Sequence, residues 1–238
     1  MSVSLHVNPE PQRNLQPRCR LRAVLFDLDG TLLDTLRDLA ESTNAALVEL
    51  GFAEHPVDAY RTFVGEGMTE LMRRTLPVAA RDARTIERGV AVLKRHYSTR
   101  WSQYSRPYDG VPGLLDGLVA RGVRAAIISN KADEFTQLIA AHYFGRWPLA
   151  AVRGSRPPAP LKPDPTVALE VVATLGVAPA AAAFVGDTRV DMETAVAAGM
   201  VPIGVLWGFR DAEELRTSGA RHLVAKPNDI LSLVDATR

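Results

Sequence analysis

Apolar residues recur along this 238-residue chain with two different periods, and the order of the periods predicts its architecture. Leu21 to Phe26 (Leu-Arg-Ala-Val-Leu-Phe) is a short apolar run suited to a strand. Beyond it the apolar positions fall three and four apart, at Leu36, Leu39, Ala40, Leu47 and Leu50. That spacing marks one face of a helix. Asp34-Thr35 stands before it as an N-cap pair and Gly51 after it as a stop. Further helical stretches are expected near residues 56–63, 69–76 and 81–101. No alternating run interrupts them, so 36–105 reads as an all-helical insert.

From Tyr108 onward the periods alternate. Helices are expected at 111–121, 133–144, 164–175, 191–198 and 211–217. Strands are expected at 123–128, 147–152, 181–185, 202–206 and 222–224. Strands alternating with helices specify a parallel sheet. The expected fold class is therefore α/β, a Rossmann-like parallel-sheet core with helices on both faces. Residues 21–35 and 106–238 form that core, and the helical cap of 36–105 is inserted after the first strand. Residues 1–20 are polar and proline-bearing and are expected to be a disordered tail.

Composition narrows the function classes. The chain is 47% hydrophobic and 23% charged, with a formal net charge of +1. No global field draws it to nucleic acid or an anionic membrane, so neither is expected as a partner. No apolar run is long enough to span a bilayer, and the first twenty residues lack the apolar stretch of a signal peptide. Cys19 is the single cysteine, which excludes an intrachain disulfide and a thiolate cluster for zinc. The five histidines show no metal-ligand spacing. A cytoplasmic monomer or homodimer is the expectation.

Candidate chemistry sits where apolar runs end. Asp27-Leu28-Asp29-Gly30-Thr31 follows the first strand, Ser129-Asn130-Lys131 the second, and Gly186-Asp187-Thr188 a later one. Sites in open parallel sheets form at the carboxyl ends of strands. Paired carboxylates repel each other there, and a divalent cation relieves the repulsion. Lys162-Pro163-Asp164-Pro165 and Asp191 complete the set. Taken singly, Ser129 reads equally as a strand-end cap, Lys162 as a solvated charge, Asp191 as a helix-dipole partner, and Thr31 and Thr188 as capping groups. Asp34 reads as the cap of the insert's first helix.

The four pieces, in this order and spacing, resemble the haloacid dehalogenase superfamily of phosphohydrolases, in the branch with a helical cap. The resemblance covers roughly Arg22 to the C-terminus. It implies that Asp27 attacks phosphorus to give an aspartyl-phosphate. Asp29 would be the general acid and base. Mg²⁺ would be held by Asp27, the backbone carbonyl of Asp29 and Asp187. Ser129 would bind a phosphoryl oxygen, helped by backbone N–H groups near Gly30 and Asn130, with Thr31 close by. Lys162 would pair with Asp27 and the phosphate, and Asp191 would hold Lys162 or a metal-bound water. The acid at position 29 favours an oxygen ester over a halide or phosphonate.

Val64-Gly65-Glu66-Gly67, Tyr108-Asp109-Gly110-Val111 and Gly204-Val205-Leu206-Trp207-Gly208 extend the resemblance. They imply a small phosphorylated metabolite as substrate, with 2-phosphoglycolate leading. Gly65, Glu66 and Gly67 would read its leaving group, and Arg73 and Arg74 would face its carboxylate. The alternatives are another small ester or pyrophosphate, a sugar-phosphate mutase, a phospho-accepting receiver, or an inactive binding protein.

Overall fold

Four consecutive apolar residues make the central strand, and all four are buried. Val24 and Phe26 belong to one apolar core, and Ala23 and Leu25 to another. Alternate side chains of a strand face opposite ways, so helices must cover both faces of the sheet. A computed structural model describes residues 20–235. Apart from Arg20, the tail expected at 1–20 lies outside the described residues, as does Cys19.

In chain order the elements are β1 (Ala23–Phe26), β2 (Leu33–Asp34), α1 (Leu36–Glu49), α2 (Tyr60–Phe63), α3 (Gly67–Thr75), α4 (Ala83–Ser98), β3 (Arg106–Pro107), α5 (Val111–Ala120), β4 (Arg124–Ala132), α6 (Asp133–Phe144), β5 (Ala151–Ser155), α7 (Thr166–Thr174), β6 (Ala182–Gly186), α8 (Arg189–Ala197), β7 (Val201–Val205), α9 (Ala212–Thr217), β8 (His222–Val224) and α10 (Asp229–Asp235). The main sheet has the order β5-β4-β1-β6-β7-β8 and every pairing is parallel. Residues of α5, α6 and α10 pack into the core on one face, and residues of α7 and α8 into the core on the other. The expected α/β architecture is the one observed.

Three differences matter for the site. The second strand was expected to stop at Ile128, but β4 stays extended through Ser129, Asn130 and Lys131 to Ala132, beside a register shift against β5. The next strand lies at Ala151–Ser155 rather than 147–152. Trp147 instead sits in the turn after α6, its indole N–H donating to Asp116 Oδ1 at 2.7 Å. A two-stranded antiparallel ribbon, β2 with β3, joins the points where the chain leaves for the insert and returns. Such short strands carry no period, so nothing in the apolar pattern announced them.

Between β2 and β3 the chain forms helices joined by turns and no strand, with α1 and α4 packed together. Asp38, in the first turn of α1, accepts from the backbone N–H groups of Tyr104 and Ser105 and from the Ser105 hydroxyl. One buried carboxylate thus ties the end of the insert to its beginning.

Candidate active site

The sheet order brings the carboxyl ends of β4, β1 and β6 side by side. Asp27 is the first residue beyond β1, and its backbone N–H still donates to Val185 O of β6 at 2.9 Å. Asp187 is the first residue beyond β6. Asp191 lies one turn into α8, where it forms a capping box with Thr188. One carboxylate oxygen from each of Asp27, Asp187 and Asp191 lies within 4.8 Å of the others, and all three residues are buried.

Each carboxylate of this cluster is held differently. Asp191 Oδ2 accepts from the Thr188 N–H at 3.0 Å and its hydroxyl at 2.8 Å, and Oδ1 accepts from Lys162 Nζ at 2.6 Å. Asp187 Oδ1 accepts from the Thr31 hydroxyl at 2.9 Å and Oδ2 from the Phe209 N–H at 2.8 Å. Lys162 Nζ also stands 2.9 Å from Asp27 Oδ1. That approach is an ion pair outside hydrogen-bond alignment, so Oδ1 has no hydrogen-bond partner. Two glycines make the packing possible. A Cβ at Gly30, whose φ is +83°, would lie 2.3 Å from Asp187 Oδ2, and one at Gly208 would lie 2.2 Å from Asp187 Cβ.

Burial sets the electrostatics. It pushes the Asp27 carboxyl up to about 6, against the lowering effect of Lys162, with Asp191 and Asp29 adding repulsion. Asp187 is pushed up to about 8, first by burial and then by repulsion from Asp191 and Asp27, against its two hydrogen bonds. Burial alone would lower the Lys162 ammonium, but Asp191 and Asp27 outweigh it and raise it.

The residues present fit a hard divalent cation. The donor set is all oxygen, which suits Mg²⁺ or Ca²⁺. Asp27 Oδ1 has no hydrogen bond, and each Asp187 oxygen accepts one, which leaves a lone pair on each. Asp191 is already engaged through both oxygens. One of those oxygens accepts from Lys162.

Asp29 points elsewhere. Its Oδ1 accepts from the Thr35 hydroxyl at 2.7 Å, and Lys131 Nζ lies 2.9 Å from both of its oxygens. Thr35 therefore spends its hydroxyl on Asp29 rather than on capping α1, and only Asp34 Oδ1 reaches the Leu36 N–H, at 3.4 Å. Lys131 was given no role from the sequence, yet its side chain is 2% exposed and its Nζ lies 4.7 Å from the Tyr97 ring centre. Reading the strand as ending at Ile128 hid it. On an extended backbone, Ser129 and Lys131 are two apart and share a face.

A cavity of about 30 Å³ opens between sheet and insert. It is lined by Asp27, Asp29, Ser129, Asn130 and Lys131 below, and by Leu39, Val64, Gly65, Gly67, Met68 and Leu71 above. Residues of the insert thus face residues of the sheet across it. Asn130 bridges the two parts, donating to Gly65 O at 3.2 Å and Lys162 O at 3.0 Å and accepting from the Lys162 N–H at 2.8 Å.

Several expected contacts are corrected by this geometry. Glu66 does not face the cavity; its carboxylate pairs with Arg74 at 2.5 Å and lies 3.6 Å from Arg189. Arg73 and Arg74 both bind Glu70 and neither lines the cavity. The Thr31 hydroxyl is committed to Asp187, and the Gly30 N–H donates to Leu33 O at 2.9 Å, so neither is free for a substrate. Both residues support the Asp187 carboxylate, one by a hydrogen bond and the other by leaving room.

Comparison with known proteins points the same way as the geometry. The sequence pattern of the haloacid dehalogenase-like hydrolases matches residues 24–205. Phosphoglycolate phosphatase of Aquifex aeolicus is 32% identical over 220 residues, covering 90% of this chain and 97% of its own. That of Pseudomonas putida is 36% identical over 197 residues, covering 79% of this chain and 70% of its own. The solved structure of a candidate phosphoglycolate phosphatase from Lactobacillus delbrueckii subsp. bulgaricus superposes with a TM-score of 0.84 at 27% identity. The match covers 91% of this chain and 99% of that one.

Proposed function

The chain belongs to the haloacid dehalogenase-like hydrolases, and from that premise we propose that it is a Mg²⁺-dependent phosphatase acting on a small phosphate monoester, with 2-phosphoglycolate the leading substrate. The observation that carries this reading is the meeting of Asp27, Ser129, Lys162 and Asp187 at the carboxyl ends of neighbouring parallel strands or on the loop beside them. The names of the relatives supply the substrate.

A phosphate monoester resists attack because anion repels anion, so a site must set fixed positive charge and donors around the transferring group. Lys162, pinned by Asp191, supplies a buried cation beside Asp27. Asp27 attacks phosphorus through a carboxylate oxygen, and the P–O bond to the leaving group breaks. One hard displacement becomes two easier ones, through an aspartyl-phosphate. Asp29 gives its proton to the departing alkoxide and later takes one from the attacking water. Ser129 donates to a phosphoryl oxygen. Mg²⁺, held by Asp27 and Asp187, would offset the clustered negative charge of carboxylates and phosphate.

We read residues 36–105 as a cap on a core of 21–35 and 106–238. On this reading the cap lifts to admit a substrate to the cavity between the two parts. Closure afterwards excludes water from the reacting centre. The β2–β3 ribbon, where both connections cross, is the natural hinge.

The test is phosphate release by the purified full-length protein from a panel of small monoesters, with Mg²⁺ and with chelator. Mg²⁺-dependent release, fastest with 2-phosphoglycolate, is the expected result. Release from pyrophosphate or other esters ahead of 2-phosphoglycolate would retain the phosphatase and discard the substrate. Failure with every ester would discard both.

A further inference from the structure

Once Arg73 and Arg74 are seen to face away, the cavity contains a charge that the phosphoryl chemistry does not use. Its charged lining residues are Asp27, Asp29 and Lys131. Lys162 serves Asp27 and Asp191 and is not among them. The upper wall is apolar, formed by Leu39, Val64, Met68 and Leu71 with two glycines. An anionic group entering this space needs a cation, because an unpaired buried charge is costly.

We propose that Lys131 receives a carboxylate on the leaving group, which makes the enzyme selective for phosphate esters of short α-hydroxy acids. The proposal rests on the reading of Asp27 as nucleophile and Asp29 as acid. An ammonium group has three donors and no acceptor. The two oxygens of Asp29, both 2.9 Å away, share one side of the ammonium and Tyr97 lies against another, which leaves a donor for a ligand. Asp29 also accepts from Thr35, so sharing Lys131 does not strip it of its support. The Tyr97 ring lies beside the ammonium and further stabilises a cation there.

Distance favours a short acid. A general acid must stand about 2.6–3.2 Å from the leaving oxygen. Lys131 Nζ stands 2.9 Å from that acid. A carboxylate one carbon beyond the ester oxygen falls within this reach. A longer chain carries its charge beyond this reach, and no second cation lines the cavity to meet it. A neutral two-carbon alcohol leaves the remaining donor of Lys131 unmatched.

The experiment compares kcat/KM for 2-phosphoglycolate, ethyl phosphate and 3-phosphoglycerate, using the full-length protein with Mg²⁺. The wild-type enzyme should favour 2-phosphoglycolate over ethyl phosphate by at least about tenfold, the value of one charge-assisted hydrogen bond. Lys131→Met should bring that ratio near unity, with the loss concentrated in KM for the anionic ester, and Lys131→Arg should restore part of it. A wild-type ratio near unity overturns the proposal without any variant, so misfolding of Lys131→Met cannot mask the answer. An unchanged ratio in a folded Lys131→Met overturns it as well. Hydrolysis of p-nitrophenyl phosphate with no preference for an anionic tail would remove this proposal alone. Loss of all ester hydrolysis by the wild type, p-nitrophenyl phosphate included, would remove the phosphatase reading and this proposal with it.

Discussion

On the sheet side of the cavity, buried charge is held by buried partners. Thr31 and Phe209 hold Asp187, Thr188 and Lys162 hold Asp191, and all these side chains are nearly inaccessible. On the insert side, the charged contacts are partly exposed. Glu66 is 33% exposed where it meets Arg74 and Arg189, and the exposed Arg61 donates to Gly208 O at 3.2 Å. Removing one partner from a buried pair costs about 3–5 kcal/mol, whereas an exposed pair contributes about 0–1 kcal/mol. The two walls therefore differ in how easily they part. The lower wall presents its charges in one arrangement, while the upper wall releases at little cost. Chemistry that needs fixed positions and access that needs motion are assigned to different layers.

The largest effect should come from the lower wall. On the proposed mechanism Asp27→Asn removes the attacking carboxylate and keeps the shape, so turnover should fall by at least about 10⁴-fold. Circular dichroism and melting temperature should stay close to wild type, because the amide relieves repulsion from Asp191 and Asp29. Substantial residual turnover in a folded variant would show that Asp27 is not the nucleophile.

Lys162→Met should be the most damaging to stability. It leaves Asp27 and Asp191 buried without their cation, a loss of about 3–5 kcal/mol in chemical denaturation near pH 8. The loss should shrink toward pH 5, where Asp27, raised to about 6, takes a proton and carries less charge. A loss equal at both pH values would mean that Lys162 acts through packing and not through charge.

Metal binding probes the same wall more gently. The folded, metal-free protein keeps protons on Asp27 and Asp187 up to about 6 and about 8, while the unfolded chain releases them near 3.8. These two groups therefore subtract stability as pH rises through that window, with the Asp27 contribution complete first. Mg²⁺ must displace the remaining protons, so its affinity should fall by up to about tenfold per pH unit for each proton displaced. The rise in melting temperature on adding Mg²⁺ should be larger at pH 8.5 than at pH 5.5. An equal rise at both would detach the cation from this cluster.

The lower wall was largely legible in the sequence, and the upper wall was not. Asp27, Asp187 and Ser129 each follow or end an apolar run, so period and punctuation located them. Lys131 was missed because Ser129-Asn130-Lys131 looks like the polar end of a strand, although the backbone remains extended through Ala132. The fifth strand was placed too early because Trp147 and Leu149 are apolar, while exposed Arg153 disguised the true edge strand. Side-chain direction in the insert depends on tertiary partners. Glu66 stands at the N-cap of α3 and Arg74 two turns along it, with Glu70 between, so helical spacing puts them on one face; whether that face turns to the sheet or away is set by tertiary packing.

The smallest effect should come from loosening the upper wall. Arg210 reaches across from the core and donates to the backbone oxygens of Thr62 at 3.3 Å and Val64 at 2.9 Å, next to the Gly65 turn. It also pairs with Glu214 at 3.3 Å. Arg210→Ala removes the reach to Val64 without touching Asp27, Asp187 or Lys162. Two hydrogen bonds from a charged donor favour closure by about 1–3 kcal/mol, offset in part by the water that replaces them. If closure assembles the site, kcat/KM for small esters should fall by several-fold to about a hundredfold. Unfolding stability should change less than in Lys162→Met, since the carbonyls of Thr62 and Val64 regain water once the insert lifts. Glu66→Gln, which weakens only partly exposed pairs, should change kcat/KM by no more than about fivefold, and that change should shrink at high salt. If Glu66→Gln matched Lys162→Met in lost stability, the insert would be part of one rigid body with the sheet. The contrast between a fixed lower wall and a releasable upper one would then fail.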